Sequence, residues 1–165
     1  MKSTSISKKV IFALQFIMPI VAFFFAYIRC MEPTNNQPTE YMSYMTDFLK
    51  LPRPLCILRI CTHNYLLSVL QAVFSFFSYG VLGIWFLFST FYTYAFVFKC
   101  TRNLFLFLEM LGTMLSIYFS TSLSFNILCK GVKFQHYFRS IVTYLIANFI
   151  VFLFASFLEG NIIFG

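Results

Sequence analysis

Apolar runs separated by short charged breaks organise this chain. Val10 to Ile28 reads VIFALQFIMPIVAFFFAYI and is closed by Arg29; Asn64 to Phe98 is 35 residues without a charged side chain; Leu104 to Leu128 holds only Glu109; Ile141 to Leu158 holds none. The breaks KCTRN at 99–103 and CKGVKFQHYFRS at 129–140 are basic. A bilayer crossing needs about 20 apolar residues, longer than most helices buried in a soluble core. The pattern therefore predicts an all-α integral membrane protein, a compact bundle of transmembrane helices joined by polar breaks.

The second run sets the helix count. As a single helix its 35 residues would reach about 52 Å, too long for a ~30 Å hydrocarbon core without strong tilt. Two full spans would leave nothing for the turn between them. One long crossing is favoured, with Asn64, Tyr65, Tyr92 and Tyr94 at the headgroup level, where amphipathic side chains are at home. A turn would have to form at Ser78-Tyr79-Gly80, which offers neither charge nor proline. The expectation is four helices near 10–28, 66–91, 104–128 and 141–158, with five as the alternative.

Residues 30–63 form the one sizeable polar segment. MEPTNNQPTEYMSYMTD reads as an irregular exposed loop with Pro33 and Pro38. In FLKLPRPLCILRIC, residues 48–61, Lys50, Arg53 and Arg59 alternate with Leu and Ile, as in a segment lying on the membrane surface or a plain juxtamembrane linker. The start of the chain has the basic flank of a signal peptide, but its apolar run of about nineteen residues exceeds the usual 7–15, so an uncleaved signal anchor is expected. The chain divides into a basic tail at 1–9 and one multi-pass membrane domain at 10–165.

Composition agrees: 60% of residues are hydrophobic, 10% are charged and the mean hydropathy is +0.81, against roughly 25% charged in a soluble domain. The net charge of +7 is spread over membrane-flanking breaks instead of being gathered on one face, which suits anionic headgroups and not nucleic acid. The lipid bilayer and other membrane proteins are the expected partners, with endoplasmic reticulum or another endomembrane favoured over plasma membrane. Orientation is less legible. Four spans with a cytosolic N-terminus place five basic residues inside and seven outside, and five spans place six on each side. Lys8 and Lys9, abutting the first helix, favour a cytosolic N-terminus.

Candidate chemistry lies on polar helix faces. Glu109, Gly112, Thr113, Ser116, Ser120 and Ser124 recur every three or four residues, with counterparts in Gln15, Pro19, Ala22 and Ala26, in Gln71, Ser75 and Ser78, and in Thr143, Ala147 and Asn148. Such stripes favour close helix packing, since small side chains let backbones approach and hydroxyls bond across the contact. Glu109, Thr113, Ser116, Ser120, Asn148 and Gln71 are the residues expected either to pack helices or to line a polar path. A carboxylate within a span costs about 2.5–3.5 kcal/mol to insert and so marks a functional position; Glu109 is near enough to the span's start to reach toward Arg102.

The five cysteines form no CxxC pair and no zinc-finger spacing with histidine. With four spans Cys30, Cys56, Cys61 and Cys129 would share the non-cytosolic side, allowing a disulfide, and His63 and His136 would also meet there, where a haem or metal could be held. No cofactor, metal or enzyme activity is expected, because the few acids do not assemble with a nucleophile and base. Three readings remain: a non-enzymatic accessory or structural subunit packing with other membrane helices; a small transporter or channel component using the seam around Glu109; and a weakly constrained open reading frame, since twenty-five Phe and ten Tyr are what T-rich codons yield.

Overall fold

The computed structural model describes residues 2–29, 51–101 and 105–164. Among these the chain is an all-α bundle of five helices: α1 (Lys2–Arg29), α2 (Arg53–Phe77), α3 (Val81–Thr101), α4 (Phe105–Ser124) and α5 (Phe138–Phe164). A π-helical turn, Phe125–Cys129, prolongs α4, and a 3-10 turn, Phe134–Tyr137, leads into α5. Four stretches are long and apolar enough to cross a membrane: Ser7–Arg29, Arg53–Phe77, Phe105–Cys129 and Phe134–Asn161. Val81–Ala95 in α3 is a shorter apolar helix.

One uninterrupted crossing over 66–91 is not what forms. The chain breaks at Ser78-Tyr79-Gly80, so α2 and α3 are separate helices that run antiparallel from a tight turn. Backbone geometry and a single hydroxyl replace the charge or proline that such a turn was expected to need. Tyr79 and Gly80 take φ values of 54° and 87°, and Gly80 N–H reaches back to Ser75 C=O at 2.7 Å, closing the carbonyl end of α2. Ser78 serves both helices: its Oγ donates to Phe74 C=O at 2.8 Å and accepts from Leu82 N–H at 3.1 Å. Gly80 tolerates the left-handed backbone, and a Cβ there would lie 2.5 Å from the Thr121 side chain.

The polar segment also ends earlier than hydropathy implies. Residues 53–63 are the opening turns of α2, not a loop or a surface-lying strip. Pro52 precedes the helix and Pro54 falls in its first turn, where a missing N–H leaves no bond unmade. Cys56, Ile60 and Cys61 are buried there, and Gly160 of α5 approaches Ile57 so closely that a Cβ would come within 2.5 Å. Residues 30–50, including the acidic part of that segment, lie outside the described residues. At the other end of the sequence, the basic tail is continuous helix with the first span from Lys2.

Successive helices alternate in direction. Gln15, the Ser78–Gly80 turn, Thr121 and Phe125 meet near one end, the turn end; Phe23, Phe98 and Phe107 meet near the opposite end. There the Arg53 guanidinium donates to Asn161 Oδ1, joining the start of α2 to the end of α5. α1 packs on α3, whereas α4 lies among α2, α3 and α5. The contact of α1, α3 and α4 is apolar, built on Ala22, Leu87, Phe91, Met110 and Ile117. The face shared by α2, α4 and α5 is polar.

Candidate functional site

The polar residues form three layers along α4. Near the turn end, Gln15 Nε2 donates to Gly80 C=O at 3.0 Å and to Thr121 Oγ1 at 2.8 Å, and Ser75 Oγ lies 3.0 Å from the same Thr121 hydroxyl. One side chain from α1 thus ties the α2–α3 turn to α4. Gln15 is 2% exposed. Its Nε2 is satisfied by these partners, while its buried Oε1 has none among the described residues.

The middle layer centres on Ser116. Asn148 Nδ2 donates to its Oγ at 2.9 Å, the Tyr144 hydroxyl also donates to it, and Ser68 Oγ is in hydrogen-bond contact. Ser116 itself donates to Gly112 C=O at 2.9 Å. A hydroxyl has one proton and two acceptor sites, so Ser116 accepts from two of these neighbours at once and binds α2 and α5 to α4. Beside this layer Ser120 Oγ donates to Ala72 C=O and Gln71 Nε2 to Thr90 Oγ1 at 3.5 Å. Gly112 allows the close approach, since a Cβ there would come within 2.9 Å of the Phe152 ring.

The third layer holds Glu109, 2% exposed. Asn64 Nδ2 from α2 donates to its Oε1, and the Tyr94 hydroxyl from α3 also hydrogen-bonds the carboxylate. Arg102 lies outside the described residues; the described partners of Glu109 come from neighbouring helices and not from its own helix end. Glu159 of α5 is close enough to interact with it electrostatically.

All six candidate residues are buried: Glu109, Thr113, Ser116, Ser120, Asn148 and Gln71. Five of them lie in or beside the two layers nearer the opposite end, and Thr113 lies between those layers on α4. On α5 the anticipated stripe is divided. Asn148 faces inward, but Thr143 and Ala147 are exposed, and Tyr144 takes the position against Ser116. Thr121, Ser68, Asn64 and Tyr94 join the seam unanticipated. Thr121 lies one position beyond the three-four spacing because the buried arc of α4 is wider than one stripe; Asn64 and Tyr94 read as interface anchors because each sits near the end of the uncharged run.

The extra turn also relocates the loop residues. Cys56 and Cys61 lie toward the opposite end and Cys129 at the turn end, so they do not share one side, and all three are free thiols. His63 and His136 are separated in the same way and do not face a common ligand. Among the described residues no three His, Cys, Asp or Glu side chains converge to hold a metal ion.

Two lateral grooves border the α4–α5 contact. One, between α2, α4 and α5, opens near the turn end; the other is lined by Tyr118, Ser122, Ala147, Asn148 and Val151. Tyr144 forms a wall of both. Asn148 lines the second groove; its Oδ1 is buried beside Gly112 and has no hydrogen-bond partner among the described residues. No protein-family model, curated protein or solved structure matches this chain.

Proposed function

We propose that this chain is a small non-enzymatic membrane protein that packs as an accessory or structural subunit against another membrane protein, in the endoplasmic reticulum or another endomembrane. The observation that carries this reading is the second groove. Its exposed Ala147 and neighbouring Ser122 are small enough to admit a helix backbone. The seam itself supports the same reading, because its hydroxyls and amides bond one another across helices and so serve cohesion.

In mild detergent the protein should bring down a stoichiometric membrane partner, and Ala147→Phe, which fills the groove without touching an internal hydrogen bond, should lose it. A chain that remains alone in both forms would overturn the proposal. The alternative, a transporter component, draws on the two neighbouring carboxylates Glu109 and Glu159. It predicts that Glu109→Gln is folded and inserted, keeps any partner and is nevertheless inactive in reconstituted flux; the accessory reading predicts a mild effect.

A further inference from the structure

The geometry points to a bound anionic phospholipid: one acyl chain in the groove between α2, α4 and α5, and its phosphate on the basic break that leads into α5. This goes beyond the proposed subunit role and requires only that the bundle sits in a bilayer.

The groove has a volume of about 270 Å³ and apolar walls, with Val73 and Phe77 on one side, Leu123 at its base, and Phe134 and Ile141 on the other. Three hydroxyls also line it, but their protons point into the protein. Ser120 donates to Ala72 C=O, Tyr144 to Ser116 Oγ, and Ser116 to Gly112 C=O. The wall therefore meets its occupant as hydrocarbon.

Charge selects the headgroup. Phe134 and Ile141 bracket a segment in which Arg139 is exposed, with exposed Lys133 directly before it and exposed Lys130 three positions earlier. No acidic residue among those described lies there: Glu109 and Glu159 are toward the opposite end. Among the described residues no carboxylate lies within reach of these basic groups beside Phe134 and Ile141, so the anion is one supplied by the surroundings. At a membrane surface that anion is a lipid phosphate, and basic pockets between transmembrane helices are suited to hold one.

The test uses the full chain in nanodiscs of phosphatidylcholine with or without phosphatidylserine, reading retained lipid by native mass spectrometry after transfer to detergent. Phosphatidylserine should be retained selectively at one molecule per chain. Lys133→Gln with Arg139→Gln should weaken that retention about thirtyfold, the weight of two basic groups at an anionic surface. Both positions are exposed, so folding should persist, and α-helical circular dichroism verifies it. Lys8→Gln with Lys9→Gln, on α1 and away from the groove, should leave retention unchanged. Ile141→Trp, which occupies the groove, should abolish it with the basic residues intact. Equal retention of the two lipids, equal losses from both basic pairs, retention by the Ile141→Trp chain, or co-purification of a polypeptide in the groove that Ile141→Trp displaces would each overturn the proposal.

Discussion

Helices α1 and α4 reverse the relation between hydrophobicity and burial familiar from soluble proteins. The most apolar 18 residues of the α1 span have a mean hydropathy of 2.3 and only 22% of them are buried; those of the α4 span have 1.3 and 56% are buried. The less apolar helix is at the centre. In water, hydrophobic burial would draw α1 inward, but hydrocarbon surroundings are as apolar as any core, and that drive is absent. Helices then sort by what lipid cannot supply: hydrogen bonds and close backbone contact. Helix α4 turns Glu109, Thr113, Ser116, Ser120, Thr121 and Ser124 to its neighbours. Helix α1 exposes Phe16, Phe24 and Phe25 and buries Gln15, Ala22 and Ala26.

The contrast depends first on how the two helices are threaded. With the turn at Ser78–Gly80, α1 and α4 run in opposite directions, and the segments 30–50 and 130–137 connect helices at opposite ends of the bundle. Glycosylation sequons introduced singly into each should then give an all-or-none difference in cells. With a cytosolic N-terminus the first is modified and the second is not. Modification of both would restore the four-span topology and remove the turn.

The next largest effect should come from backbone proximity. A Cβ on Gly83 of α3 would lie 2.5 Å from both Ile117 and Ser75, so Gly83→Val must push α3 off its neighbours and should destabilise the bundle by about 2–3 kcal/mol. Unfolding in a mixed-micelle titration measures it. A neutral result would mean that α3 is not seated against α4 as described.

Hydrogen-bond deletions should be smaller. Gln15→Leu removes two bonds at the turn layer, and with an average of about 0.6 kcal/mol per bond in a membrane protein a loss near 1 kcal/mol is expected in the same titration. Glu109→Leu should lose about 1 kcal/mol and Glu109→Gln clearly less, because the amide oxygen still accepts from Asn64. The smallest effect belongs to the lipid-facing side of α1. Phe24→Leu, at a position 60% exposed, should change stability by less than about 0.5 kcal/mol. A Phe24 effect as large as that of Gln15 would erase the contrast between the two faces.

Much of this protein follows from the one-dimensional pattern. Apolar runs of eighteen or more residues can satisfy their backbone in hydrocarbon only as helix, so the all-α bundle is legible directly, as are the first, third and last long helices. The buried stripe of α4 is legible too, because spacings of three and four place side chains on one face regardless of what that face meets. The turn at Ser78–Gly80 is not. It depends on two residues in the left-handed region, on a hydroxyl that bonds both adjoining helices, and on Gln15, 65 residues away in sequence, reaching the Gly80 carbonyl. Local propensity weighs none of these together. The partners of Glu109 were hidden for the same reason, since Asn64 and Tyr94 reach it only once the chain has folded back between them. Sequence determines which segments must be helical, because the solvent imposes that on each segment separately; the tertiary structure alone decides how many helices there are and which polar groups meet, because those outcomes arise from contacts between segments.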